Sequence, residues 1–458
     1  MILKLAARSL ATRPIRTAVL ACGFGFGIAV MAALLGVGEV ILDQAHSPAL
    51  EGGGDVVIAG RYGAIDSARF LLTSVLGAPD MTRRVAAASP SKRATLYLMA
   101  EGTAIPVAVR AGIPSLERAI GDSEVASVPE WTDEPGDRAW SSPEAGNVLR
   151  EMDRFHPVPD APEFAASWAE WLYFNGRTAD GRVRFYLTFI VGARSASAPG
   201  RRVAGVRLQL ERDGETRHYA VRGDVEEATL LRSAPDLDIA GNRVRLEGLR
   251  YRIGLALPGA GGELVLDAAP GQSLPPATIR GARGWVTGYT APVLSGTVHG
   301  SLTVGRDSVA IENAAGYHDH NWGFWEGVRW QWGQVAHDDL SFVYGRVFPP
   351  PTVADPDRVP GFLGVLGTNG PLGFSTSVSI EDTGADRVMV RASGAALELD
   401  MAFTADRSVR TAMGPTAPAQ SGPLDFLQLG GEYHVTGHIG ERVLDFTAHG
   451  AAETFRSR

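Results

Sequence analysis

Residues 316–323 read Gly316-Tyr317-His318-Asp319-His320-Asn321-Trp322-Gly323, which crowds two imidazoles, a carboxylate, a phenol, an amide and an indole into one short stretch. Phe324, Trp325, Trp330 and Trp332 follow at once. Such groups can move protons: a carboxyl as acid, an imidazole as base or water-orienting group, aromatic faces to shelter a cation. His-x-His is also half of a zinc site, but no third and fourth ligands follow at a recognisable spacing, so no metal is expected. The same residues could equally form a satisfied polar network that pins two domains together.

A strand must position them. Upstream, Leu302-Thr303-Val304 and Val309-Ala310-Ile311 alternate as strand and turn. If Tyr317–Trp322 is extended, period-two geometry puts His318, His320 and Trp322 on one face and Tyr317, Asp319 and Asn321 on the other. One face could line a cavity while the other ties the strand to its surroundings. Asp319 then points away from the histidines.

The 458 residues allow two or three domains with ample core. A net charge of −8 and a pI near 5.7 leave no basic surface for nucleic acid. With 55 glycines and 28 prolines, many turns between short strands are expected. The single cysteine, Cys22, rules out an intrachain disulfide. Thr17 to Gly38 is uncharged and long enough to cross a bilayer as a helix. Lys4, Arg8, Arg13 and Arg16 precede it and Glu39 and Asp43 follow, which predicts a single-pass inner-membrane protein with its body on the extracytoplasmic (periplasmic) side. The run is longer than a usual signal-peptide core and no clear small-x-small site follows, so an uncleaved anchor is favoured.

Beyond the anchor, residues 56–58, 94–98 and 105–109 read as short strands, and Asp66–Leu76 and Pro114–Ile120 as helices. Pro129–Asp137 is acidic and turn-rich, as in a linker. Ser142-Pro143-Glu144 predicts a helix start, with an end near Phe155. After Phe164 the period becomes two, as in Val206-Arg207-Leu208-Gln209-Leu210 and Arg243-Val244-Arg245-Leu246-Glu247, with turns at Asp213-Gly214 and Ala240-Gly241-Asn242. Many short antiparallel strands without alternating helices predict a mainly β fold, sandwich or barrel, in two halves. The expected organisation is an anchor over 1–43, a small mixed α/β segment over 44–128, a linker and helix over 129–163, and β domains over 164–325 and 326–458.

Two resemblances add to this. Leu5-Ala6-Ala7-Arg8-Ser9-Leu10, with Arg13 and Arg16-Thr17 and then Gly54-Asp55-Val56-Val57-Ile58-Ala59-Gly60, resembles the start of FtsX-type ABC-transporter permeases. With one crossing this chain is no transporter by itself, but the resemblance implies ABC-transporter subunits as partners. Glu170-Trp171-Leu172-Tyr173-Phe174-Asn175-Gly176 resembles the Glu-Trp-Trp-Tyr-Phe signature of the AttH family, which includes CrtC-type carotenoid 1,2-hydratases (hydroxyneurosporene synthases). Leu172 departs from that signature. Tyr317–Gly323 resembles the family's central motif, and Trp330-x-Trp332-Gly333 with Phe342-Val343-Tyr344-Gly345-Arg346 resembles the opening of its second half. The resemblance spans residues 140–458 and implies two lipocalin-like antiparallel barrels holding a hydrophobic isoprenoid or lipid ligand.

It also implies a reaction, acid-catalysed addition of water to an isolated alkene, which requires neither metal nor organic cofactor. Proton delivery to carbon makes a tertiary cation that water captures, and a desolvated cation–π contact stabilises it by up to ~2 kcal/mol. Asp319 is the acid named first, because burial would raise its pKa and keep it protonated. His318 or His320 would position the water or take its proton. Trp171, Tyr173, Trp322, Trp325, Trp330 and Trp332 are candidate walls, with Tyr317 and Tyr344 beside the ligand. Glu170 reads as a structural hydrogen-bonding group, and His434 and His438 as surface or packing residues. The rival reading is a non-catalytic lipid-binding module that partners an ABC transporter.

Overall fold

A computed structural model describes residues 83–100, 103–141, 144–413 and 424–457, apart from Ala234, Pro270 and Ala385; before residue 83 it describes only short stretches, 54–59 and 68–72 the longest. Except for Phe26 and Met31, the crossing expected over 17–38 lies outside these residues. Among the described residues no helix is long and apolar enough to span a membrane. The chain forms two compact units, residues 1–65 with 87–137 and residues 66–86 with 138–458.

In the first unit Ser91–Ala100 pairs antiparallel with Thr103–Gly112, Leu96 opposite Val107, so both strands expected there form. Residues 56–58 belong to no strand. The expected helix runs Pro114–Ala119, with proline where a missing N–H costs nothing. Asp122 caps the next one, Ser123–Ala126, by accepting from the N–H groups of Glu124 and Val125 at 2.9 and 3.0 Å. The expected linker is partly helical: Pro135 opens Pro135–Ser141, and the Asp137 carboxylate accepts from Glu134 N at 2.9 Å just before it.

Of the helix expected over 66–76 in the second unit, Ala68–Phe70 is α-helical. The helix expected from Ser142 runs Ala145–Met152, with Glu144 at its N-cap and Asp153 leaving helical geometry at φ −103°. It stops short of Phe155 because Asp153 is drawn into the barrel that follows. Leu149 and Phe155 pack into that barrel's core.

The rest of this unit is two nearly closed antiparallel barrels. The first has Trp168–Arg177, Val183–Arg194, Arg201–Arg212, Glu215–Glu226, Leu237–Ile239, Asn242–Glu247, Arg250–Leu257, Ala260–Ala268, Val286–Val304 and Asp307–Phe324 in that order round its wall, with Leu274–Arg280 added against Val286–Val304. The last strand pairs with the first, and the seam without a ladder follows the fourth strand. The second barrel repeats the plan with nine strands from Arg329–His337 to Arg442–Ser457. Again the last pairs with the first, and again the seam follows the fourth, Gly370–Ser375. This chain-order meander is the up-and-down barrel topology.

Alternation explains why these segments are strands. Asn242–Glu247 buries Asn242, Val244 and Leu246 and exposes Arg243 and Glu247. The hairpin turns use consecutive positive φ values, 51° and 90° at Asp213-Gly214 and 50° and 84° at Ala240-Gly241, which match the twist of the flanking strands. Leu172, Phe174, Phe189 and Leu208 fill the first barrel, and Phe342, Val365, Met401 and Val435 the second. A third cluster, with Tyr173, Tyr317, Trp332, Val343 and Leu366, lies between the outer faces of the two walls.

Candidate functional site

The motif lies in Asp307–Phe324, between Val286–Val304 and Trp168–Arg177. Asp319 stands opposite Tyr173 and Asn321 opposite Trp171 in the ladder. The parity read from the sequence is the parity observed, and it sends the motif's groups to two different environments.

His318, His320 and Trp322 point inward. His318 is fully buried, stacked on Phe174 with ring centroids 4.1 Å apart. Its two ring nitrogens face acceptors, the Tyr173 carbonyl at 2.9 Å and Asp153 Oδ2 at 2.9 Å. His320 meets Glu170 Oε1 through Nε2 at 3.0 Å and stands 3.0 Å from Asp153 Oδ1 through Nδ1. His156 Nδ1 also meets Glu170 Oε1, at 2.7 Å, and its ring stacks on Trp322 at 4.3 Å. The buried Arg202 guanidinium lies 4.0 Å from Glu170 Oε2. Burial would raise the Asp153 carboxyl, but the charge and bonds of His318 and His320 outweigh it and hold it well below the usual carboxylate range. Glu170, opposed by burial in the same way, is lowered by His156 and His320. Burial would lower His320, but Asp153 and Glu170 push it up to about 9. This is a buried network of imidazoles and carboxylates that plugs the barrel interior.

His156, Glu170 and His320 are the described residues whose donor atoms could gather round a metal ion. Their N···O separations of 2.7 and 3.0 Å already suit shared protons, and Arg202 supplies positive charge on the far carboxylate oxygen. The donor set therefore fits a hydrogen-bonded network better than a cation.

Tyr317, Asp319 and Asn321 point outward, toward the second barrel. Asn321 Nδ2 donates to Asp319 Oδ1 at 2.7 Å, and the Tyr317 hydroxyl donates to Oδ2 at 2.9 Å. The Tyr317 and Tyr289 hydroxyls are 2.7 Å apart, and Trp332 Nε1 donates to Tyr289 at 3.4 Å. Burial lifts the Asp319 carboxyl well above the usual range, against its bond from Tyr317 and with help from the negative charge of Glu453.

Asp319 and Glu453 both line one cavity of about 760 Å³ between the outer faces of the barrels. Aromatic rings make up one continuous part of its wall, and Arg207 and Arg346 also line it. Trp171 meets Trp325 at 4.6 Å, Trp325 meets Trp330 at 5.7 Å, and Trp330 meets Phe455 at 4.7 Å, a continuous path from one barrel to the other. Tyr173 and Trp332 contact edge to face at 6.4 Å. Glu453 accepts from Trp330 Nε1 at 2.9 Å and from Gln428 Nε2 at 3.2 Å, and burial raises its carboxyl too.

Of the expected site residues, the cavity brings together Asp319, Trp171, Tyr173, Trp325, Trp330 and Trp332. Tyr317 lies just behind it, bonded to Asp319. His318 and His320 are not among its lining residues, because strand alternation turns them into the barrel core. Trp322 stacks on His156 instead, and Tyr344 sits inside the second barrel, 3.0 Å from the Tyr433 hydroxyl. Glu170 is buried in the network, and His434 and His438 are exposed. Sequence reasoning missed Glu453, Gln428, Tyr289, Asp153 and His156. Glu453 could have been flagged as an acid among the aromatics of the final strand, but its register opposite Trp332 is not visible in a sequence.

Gly288 stands opposite Trp322, and a Cβ there would fall within the indole. Gly288→Ala should therefore destabilise the first barrel by about 1–3 kcal/mol, seen as a lower urea midpoint.

No protein-family model and no curated protein matches the chain. Solved structures are similar at low identity. A protein of Nitrosomonas europaea described as an AttH is 16% identical, with 65% of this chain and 98% of that one covered and a TM-score of 0.43. Kievitone hydratase from Nectria haematococca is 13% identical, with 66% and 94% covered and a TM-score of 0.40. CghA is 13% identical, with 66% and 93% covered and a TM-score of 0.44.

Proposed function

We propose that the cavity between the barrels binds an apolar isoprenoid or lipid alkene, and that neutral Asp319 protonates its C=C bond so that water can add. The observation that carries this is the Asp319 carboxyl, raised by burial, facing a cavity of about 760 Å³ with Trp171, Trp325, Trp330 and Trp332 in its wall. Among the described residues no ion pair engages that carboxyl, and burial outweighs the Tyr317 and Asn321 donors that favour its ionised form. Tryptophan faces can stabilise the cation by up to ~2 kcal/mol for each desolvated contact. His318 and His320 then serve the site from behind, by fixing the strand that carries Asp319. In this reading the uncharged run over 17–38 tethers the body on the extracytoplasmic face of the membrane, where such lipids partition.

The test is incubation with lycopene and squalene in heavy-oxygen water, with ligand binding followed by quenching of tryptophan fluorescence. A labelled tertiary alcohol is the expected product. Quenching without alcohol would leave a binding module in place of an enzyme. Neither quenching nor alcohol would remove the hydrophobic-ligand reading altogether.

A further inference from the structure

Both barrels carry a carboxyl at the same place in their plan. Asp319 is on the last strand of the first barrel, opposite Tyr173 of its first strand. Glu453 is on the last strand of the second, opposite Trp332 of its first strand. Those two aromatic partners touch each other, and both acids face the one cavity. The site is thus two half-sites brought face to face.

The halves differ in what holds the carboxyl. Glu453 Oε2 receives the indole N–H of Trp330, a group that can only donate, and Oε1 receives Gln428. Two donors on two oxygens suit the ionised form. Asp319 also receives two donors, Asn321 Nδ2 on Oδ1 and the Tyr317 hydroxyl on Oδ2, but that hydroxyl can turn and accept. That suits a carboxyl that gains and loses a proton. The negative charge of Glu453 adds to burial in raising Asp319, which favours the proton on Asp319.

Resting on the hydration reading above, we propose that Glu453 is the base that completes the reaction, taking the proton of the water that captures the cation. The Asp319 O–H bond breaks as its proton forms a C–H bond with the alkene π pair. A water lone pair forms the C–O bond, and one water O–H bond breaks to protonate Glu453. The products are a tertiary alcohol, ionised Asp319 and neutral Glu453. Return of the proton from Glu453 to Asp319 through water in the cavity resets the pair.

Turnover of lycopene and squalene in deuterated water tests this. The wild type should give deuterated alcohol. Glu453→Gln should make alcohol at least about 100-fold more slowly, the lower end for loss of a general base. It should still exchange deuterium into recovered or isomerised alkene, because the cation can return a neighbouring proton to Asp319. Glu453→Asp keeps the charge and should form alcohol within about tenfold of wild type. Tryptophan quenching by the same two compounds should persist in both variants, which shows that the cavity still takes ligand. Alcohol formation by Glu453→Gln at the wild-type rate would overturn the assignment, as would joint loss of alcohol and exchange with quenching intact. A wild type that yields neither alcohol nor exchange would instead refute hydration itself, and this base with it.

Discussion

Asp319→Asn should lower alkene turnover by about 100- to 10,000-fold while leaving ligand affinity within a few fold. The amide is nearly isosteric and can keep bonds to Tyr317 and Asn321, which hold the carboxyl at 2.9 and 2.7 Å, so the cavity wall should survive. What it lacks is an acidic proton. Burial raises the Asp319 carboxyl, so its active, neutral form persists toward neutral pH, and activity should fall as pH rises through that elevated value. The variant should show no such titration in whatever residual rate remains. Full activity in Asp319→Asn would exclude this residue as the proton donor, and equal loss of turnover and of quenching would make it a structural residue.

Asp153→Asn should destabilise the first barrel by about 3–5 kcal/mol, the cost of leaving the buried His320 imidazolium without one of its two carboxylate partners. Asp153 is fully buried and contacts both His318 and His320, so its loss uncovers charge that water cannot reach. Denaturant unfolding followed by tryptophan fluorescence measures this, and a change below about 1 kcal/mol would contradict the network's stabilising role. The pH dependence carries a definite sign. His320 is raised to about 9, so its contribution is full below its unfolded value of about 6.5 and is lost as pH climbs through 9. Asp153 and Glu170 are depressed, so theirs is full above about 4.5 and is lost as pH falls toward their folded values. The network's contribution to stability should therefore be greatest between about pH 4.5 and 6.5, and its alkaline decline should be shallower in Asp153→Asn.

Much of this site was legible in the order of residues along the motif. Alternation separated Asp319 from His318 and His320, because a strand leaves its side chains no other choice. The mainly β architecture and the hairpins at Asp213-Gly214 and Ala240-Gly241 were legible for the same local reasons. Which face meets a ligand was not, since it depends on what packs against the strand. Asp153 fills the inner face from a helix end 165 residues away in sequence, and Glu453 comes to the outer face from the other barrel. Tyr344, in the family-like stretch 342–346, was expected beside the ligand, but it shares its face with Phe342 and points into the second barrel. Such pairings are set by register between distant strands, on which no short stretch has any bearing.

The seam in each barrel follows its fourth strand, whereas the acids ride on the ladder that joins the last strand to the first. Backbone amides along the seam have no ladder partner across it, so local opening is expected to begin there. If the cavity takes a ligand as proposed, any give in the wall is expected at the seam, away from the ladder that carries the carboxyls. Stiffness and adaptability are thereby assigned to different staves of the same cask.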